Sequence, residues 1–353
     1  RRVPGQAEAQ IRGRPGGGRR PAGSRRRCAS QEPVNSMGLS STIRDAWRKN
    51  SAEIRGLFNG ALPAFVLSPS PPEDCGGLPV FCYHIVTQEG FEADLRFLAE
   101  NGYVALAASQ VAGYLAGAVR PEGRAVMLTF DDGARNFHDV AFPLLLRYRA
   151  RAVHFVAPAL HGEASQDDEG DERPMNWDEL RKIHDSGLVE FQSHTLESRY
   201  VPSWPMPAAL SGCDPRIEAR RRGAPRPLRE DLESSVELLQ RRLPGCRVHQ
   251  LAFPMYIGSQ DAVDTARTLG FDACYWGPLP GRPVNRPGDS AYFMSRISDE
   301  FVRRLPGKGR IGVQAMLDER LRRIRTAKAW RRKFLAAWDV PCSRGASGSR
   351  HFE

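Results

Sequence analysis

Arg124-Ala125-Val126-Met127-Leu128-Thr129-Phe130-Asp131-Asp132-Gly133 is the stretch on which the fold turns. Val126, Met127, Leu128 and Phe130 are apolar and Gly133 breaks the run, so it reads as a short buried strand ending in two adjacent carboxylates. In folds built from parallel strands, the C-terminal edge of the sheet is where ligand sites collect, because the loops leaving it vary freely on a rigid scaffold. Taken alone, Asp-Asp-Gly favours an ordinary turn that caps the next helix. The flanking segments have to decide.

Working outward, strands are expected at Pro79 to Val86 (carrying His84), Tyr103 to Leu106, Ala152 to Ala157, Leu188 to Gln192, Val248 to Phe253 and Phe271 to Trp276. Helices are expected between them. Phe91, Leu95 and Leu98 share one face before Gly102, and Ala107 to Ala116 stops at Gly117. Phe137, Val140, Leu144 and Tyr148 keep helical spacing with a bend at Pro143. Asn176 caps a helix bearing Trp177, Leu180 and Ile183. Leu228, Leu232, Val236, Leu239 and Leu243 mark a further amphipathic helix, and Asp261 to Leu269 another. Strand-then-helix order at short intervals argues for parallel strands with covering helices, and a (β/α) barrel is the expected closure.

The 353 residues suffice for one barrel-sized domain with extensions. The net charge of +10 suggests nucleic acid until it is divided along the chain. Residues 1–36 hold nine Arg against two Glu, and residues 303–333 hold twelve Lys/Arg against Asp318 and Glu319. The body from 37 to 302 carries 35 acids against 28 bases, so a duplex-binding face is not expected on it and no nucleic-acid partner is assigned. Seven cysteines lack any Cys-x-x-Cys spacing, which fits free thiols and a cytoplasmic location. No apolar run approaches 18 residues, so no spanning helix is expected, and Asp45, Glu53 and Pro63 break up the only stretch resembling a leader.

Four regions follow. Residues 1–36 are an Arg/Gly/Pro-rich tail expected to be disordered, and one reading places the natural start at Met37. Residues 37–77 form a helix and linker, 78–298 the main domain, and 299–353 a basic helical extension. In the extension, Val313, Leu317, Leu321 and Ile324 hold a helical stripe surrounded by Arg and Lys. That pattern suits either a helix docked on the acidic body, the preferred reading, or peripheral contact with an anionic membrane. Residues 162–174 read as a solvated acidic loop and not as a calcium site.

Polar residues punctuate several strands: His84 within the first, Asp131-Asp132 after another, Ser193-His194-Thr195 after a third, and Pro254 after a fourth. An imidazole and a carboxylate converging at one edge suit a divalent metal, and a second carboxylate can serve as a general base. Lone histidines such as His138, His154, His161, His184 and His249 are expected to be surface or packing residues. Taken in order, Thr129-Phe130-Asp131-Asp132-Gly133, Asn176-Trp177, Gln192-Ser193-His194-Thr195 and Leu251-Ala252-Phe253-Pro254 resemble the polysaccharide deacetylase family (NodB homology, carbohydrate esterase 4). Pro79 to His84 resembles its branch with a Tyr-His pair on the first strand, and the resemblance covers roughly residues 78–297.

The resemblance implies a distorted (β/α) barrel that removes acetyl groups from an N-acetylhexosamine glycan or a lipid-linked precursor. It implies Asp131 as general base, His84 as general acid, and Asp132 and His194 as ligands of a divalent metal of zinc type. Pro254 and the backbone N–H of Met255 would face the developing oxyanion. One position departs from the family: where a second metal-binding histidine usually stands, this chain has Ser198 and Arg199. The third ligand is then Ser198, an inward-turned Glu197 or water, or else the barrel is a catalytically impaired glycan-binding or scaffold homologue. No Arg stands beside Pro254.

Overall fold

A computed structural model describes residues 60–70, 72–163, 173–198 and 226–322. The expectations for residues 1–36, the helix at 43–58, most of the acidic loop, Arg199, Ile324 and the basic run beyond 322 lie outside the described residues.

The elements alternate as expected. After a short helix α1 (Ala64–Leu67) come β1 (Val80–Tyr83), α2 (Gln88–Glu100), β2 (Tyr103–Ala105), α3 (Ala108–Leu115) and β3 (Arg124–Asp131). Then follow α4 (Phe142–Tyr148), β4 (Ala152–Val156), α5 (Trp177–His184), β5 (Val189–Ser193) and α6 (Leu228–Arg242). The series finishes with β6 (Gln250–Ala252), α7 (Gln260–Thr268), β7 (Ala273–Trp276), β8 (Met294–Ser295) and β9 (Ile297–Ser298). Two boundaries differ from expectation. β1 ends at Tyr83, so His84 lies just beyond the strand. A π-helical turn (Phe137–Ala141) precedes α4, placing Pro143 in the first turn of α4, where its missing N–H costs no helical bond.

All named strand pairings are parallel, in the order β8-β7-β6-β5-β4-β3-β1-β9, with β2 added to β3. β8 and β9 are separated by the single residue Arg296. Tyr275 pairs with Met294 on one side and Phe81 with Ile297 on the other, so one extended segment bridges both edges of the sheet and closes the barrel.

Side chains alternate across this wall. Val80, Met127, Val153, Phe155, Ala252, Tyr275 and Met294 share one buried cluster. Phe81, Tyr83, Leu128, Phe130 and Phe191 belong to a second, together with the helical residues Phe91, Leu95, Leu98, Leu180, Ile183, Leu232 and Leu239. Each fully buried Leu or Phe contributes about 1.5–3 kcal/mol, so these two layers hold the strand ends in fixed register. Asn176 caps α5 reciprocally with Glu179, at 2.9 Å in both directions.

The helix at 313–322 docks differently from the sequence expectation. Met316 and Glu319 are buried, while Leu317 and Leu321 are 42% and 54% exposed. Ion pairs attach it: Arg303 to Glu319 at 3.4 Å and Arg320 to Glu300 at 3.1 Å. The apolar stripe therefore does not form the docked face beyond Val313, which packs against the core.

Candidate active site

Asp131 is the last residue of β3 and is buried. Inward-facing side chains recur every second residue, and Cys82, opposite Thr129 in β1, lies on the same side. Its thiol donates to Asp131 Oδ2 at 3.4 Å. On the other oxygen, Arg296 Nη1 donates to Asp131 Oδ1 at 2.7 Å, both side chains being buried. Burial pushes the Asp131 carboxyl upward, but Arg296, then His194 and His84, more than offset this and hold it well below the usual carboxylate range. Asp131 is thus an ionised acceptor at neutral pH.

Asp132 adopts φ 74° and Gly133 φ 78°, so the chain turns sharply after the strand. A Cβ on Gly133 would stand 2.4 Å from His161 Cε1, which makes glycine obligatory there. The turn swings Asp132 toward His194. His194 Nδ1 lies 2.9 Å from the Ala252 carbonyl, an acceptor only, so Nδ1–H donates to it and Nε2 is turned toward the two aspartates. That Nε2 lies 3.5 Å from Asp132 Oδ1 and 4.0 Å from Asp131 Oδ2. Ser198 Oγ donates to Asp132 Oδ1 at 3.2 Å.

These donors fit a cation. Two ligands held tetrahedrally at about 2.0–2.1 Å lie roughly 3.3–3.4 Å apart, close to the His194–Asp132 separation. The hydroxyl of Ser198 beside the pair would be a weak donor compared with imidazole. A different three-donor group, Cys82, His84 and Asp131, also has one ligand atom from each within 4.8 Å of the others.

His84 is half-buried, its ring 6.3 Å from that of Tyr256. Pro254 and Met255 open a turn after β6, with Met255 42% exposed at φ 59° and Tyr256 at φ 66°. Asp132, Thr195, Ser198, Met255 and Tyr256 are five of the six positive-φ non-glycine residues described. Such backbone costs on the order of 1–3 kcal/mol each and gathers where a site over-determines it.

Asp131, Asp132, His194, Ser198 and His84 are therefore brought to one end of the barrel, and Pro254 and Met255 follow the adjoining strand β6. Three residues of the site were not foreseen: Arg296, Cys82 and Tyr256. Arg296, between β8 and β9, takes up the pairing with Asp131, its guanidinium 5.3 Å from the Tyr256 ring. Its signal was a lone guanidinium within the otherwise uncharged Tyr292-Phe293-Met294-Ser295-Arg296-Ile297. Cys82 and Tyr256 were hidden because a thiol in an apolar strand and a tyrosine in a loop are ordinary residues.

The comparisons bear on this geometry. The polysaccharide deacetylase model matches residues 118–274. The Bacillus subtilis protein YxkH is 25% identical over 178 residues, covering 48% of this chain and 59% of that protein. The poly-β-1,6-N-acetyl-D-glucosamine N-deacetylase of Escherichia coli is 34% identical over 123 residues, covering 33% and 18% respectively. The chain thus spans a little over half of the first and under a fifth of the second. Among solved structures, IcaB from Ammonifex degensii superposes with a TM-score of 0.52 at 23% identity, covering 65% of this chain and 96% of that one, a likeness of fold. The closed parallel barrel, the Thr129-Phe130-Asp131-Asp132-Gly133 turn with His194 opposite, and the matched segment agree, and residues 118–274 match the polysaccharide deacetylase family.

Proposed function

We propose that this barrel is a carbohydrate N-deacetylase that removes acetyl groups from an N-acetylhexosamine-containing glycan. The observation that carries the reading is Asp131, kept ionised by Arg296 at 2.7 Å and set beside an Asp132–His194 pair spaced for a shared cation. Asp132 and His194 would hold that ion, of zinc type, with Ser198 or water at the third position. When bound, it supplies Lewis-acid polarisation of the acetyl carbonyl and a lowered pKa for attacking water.

The chain's own residues do the rest. Asp131 Oδ2 accepts the water's proton, while Arg296 fixes the carboxylate through its other oxygen. His84, at the rim, donates a proton to the departing amine. The Met255 N–H, on the left-handed turn after Pro254, stabilises the developing negative charge.

The E. coli relative's name supports a β-1,6-linked N-acetylglucosamine polymer as substrate; a lipid-linked precursor is the narrower alternative. Acetate release from β-1,6 and β-1,4 N-acetylglucosamine oligomers, measured with metal content, tests the reading. Release that survives Asp131→Asn would overturn it. Ser198 favours a second reading, a glycan-binding homologue without turnover, which predicts oligomer binding with no acetate and no retained metal.

Two further points concern location. Cys75, Cys82, Cys246 and Cys274 are free thiols, which supports a reducing, cytoplasmic compartment. No helix among the described residues is long and apolar enough to cross a membrane. Exposed Leu317 and Leu321 support peripheral contact with an anionic bilayer. Flotation with anionic vesicles tests this; equal flotation of the wild type and a Leu317→Glu/Leu321→Glu chain sinks the idea.

A further inference from the structure

We propose that Cys82, His84 and Asp131 form a second site, separate from Asp132, His194 and Ser198, which takes a thiophilic divalent cation and shuts the deacetylase down. A sulfur, an imidazole nitrogen and a carboxylate oxygen lie mutually within 4.8 Å, so one ion can reach all three with small side-chain adjustment. The placement follows from the strands. Cys82 and Asp131 project inward from neighbouring β1 and β3, and His84 stands two residues beyond Cys82, above the end of its strand.

The donor chemistry selects the ion. A thiolate with an imidazole and a carboxylate suits zinc or cadmium, whereas magnesium and calcium prefer oxygen ligands throughout. The other donor set offers an imidazole, a carboxylate and a hydroxyl, so sulfur distinguishes the two.

Two features make this a site for excess cation and not the resident one. Arg296 already occupies Asp131 Oδ1 at 2.7 Å, placing a positive charge next to any incoming ion. The Cys82 thiol is buried and donates its hydrogen to Asp131 Oδ2 at 3.4 Å, so a cation must displace that hydrogen bond. Binding therefore breaks the Sγ–H bond, forms a sulfur–metal bond and releases one proton to solvent, so affinity rises with pH. Among the described residues, the Asp132–His194 pair has no guanidinium bonded to its carboxylate and no thiol among its donors.

Inhibition follows from which oxygen is used. The Asp131 oxygen left by Arg296 is Oδ2, which faces Cys82 and, in the proposed reaction, must accept the water's proton. A cation on Oδ2 removes that acceptor and also ties up His84. The inhibitory half of the proposal rests on the deacetylase reading; the binding half does not.

The full chain is titrated with cadmium while the thiolate-to-cadmium charge-transfer absorption and proton release in weak buffer are recorded. Cys82→Ser, Cys82→Ala and, as a control, Cys246→Ser are compared. Wild type and Cys246→Ser should show the band with one proton released per cation, and both Cys82 variants should lose that component. The cadmium concentration that halves acetate release, each variant measured against its own cadmium-free rate, should rise in the Cys82 variants by more than the roughly tenfold typical of losing an outer-shell contact. An undiminished band in the Cys82 variants, or none in the wild type, overturns the site. A band that depends on Cys82 without any shift in inhibition overturns the inhibitory role. Absence of acetate release in every chain, with the Cys82-dependent band intact, sinks the deacetylase reading and leaves the cation site standing.

Discussion

Arg296 and Asp131 form a buried ion pair, Nη1 to Oδ1 at 2.7 Å, between residues at the seam and the wall of the same barrel. The pair leaves Oδ2 of Asp131 to face Cys82 and His194. Its desolvation is expensive, so removing one partner costs more than the pair itself contributes.

Arg296→Gln is therefore expected to destabilise the barrel by about 3–5 kcal/mol, read as a lowered urea midpoint. In the folded fraction the Asp131 carboxyl should titrate at higher pH, because its principal charge partner is gone. The acid limb of the pH–rate profile then moves upward; an unmoved limb would show that Arg296 does not set the ionisation of Asp131.

Asp131→Asn retains the shape but not the proton acceptor. Acetate release should fall by about 10²- to 10⁴-fold, the usual contribution of a positioned base. Circular dichroism on the same sample separates this loss from unfolding, since the substitution also leaves Arg296 without its counter-charge.

Ser198→His should strengthen zinc retention. Structural zinc sites gain about 10–16 kcal/mol from four ligands, so replacing a hydroxyl by an imidazole should tighten binding on the order of a hundredfold. Ser198 has φ 52°, and histidine is among the residues enriched in that region, so the backbone tolerates the change. Zinc content after gel filtration, unchanged from the wild type, would place the third ligand elsewhere.

His154 and His161 lie outside the reactive group and are buried, one among Phe130, Phe137 and Phe191 and the other beside Trp177. Burial pushes His154 from 6.5 down to about 3, and His161 from 6.5 down to about 4. A folded state that refuses protons the unfolded chain accepts is most stable above 6.5 and loses stability as pH falls from there toward 4. The slope should approach about 1.4 kcal/mol per pH unit for each histidine. His154→Phe should flatten the slope between pH 6 and 5 by about one such contribution, measured by urea denaturation; an unchanged slope would exclude His154 as its source.

Much of the architecture was legible because β3 and β4 are largely apolar runs and the later strands alternate with amphipathic helices, and burial enforces both periods. The last stave was not. β8 and β9 are two residues each, too short for any periodicity, so Arg296 read only as the place where the pattern fades. Asp131, Asp132, His194 and Ser198 were legible because strand ends bring them together through local turns. Arg296 is 165 residues from Asp131, and only closure of the barrel shows that they meet. The docked face of 313–322 was misjudged for a related reason. Its attachment is made by Glu319 and Arg320 to partners on another segment, and a stripe of leucines cannot report that.

The seam at Met294–Ser298 also sets an order of events during synthesis. When the ribosome has delivered the chain as far as Trp276, every carboxylate and imidazole of the site already exists, but the sheet still has two open edges. Asp131 then lacks the guanidinium that keeps it charged in a buried place. The final stave joins both edges and brings that guanidinium in the same stroke, so the charge state of Asp131 in a nascent chain is coupled to completion of its wall. A chain cut before Met294 would hold the motifs by which the family is recognised and lack the foremost charge that keeps Asp131 ionised.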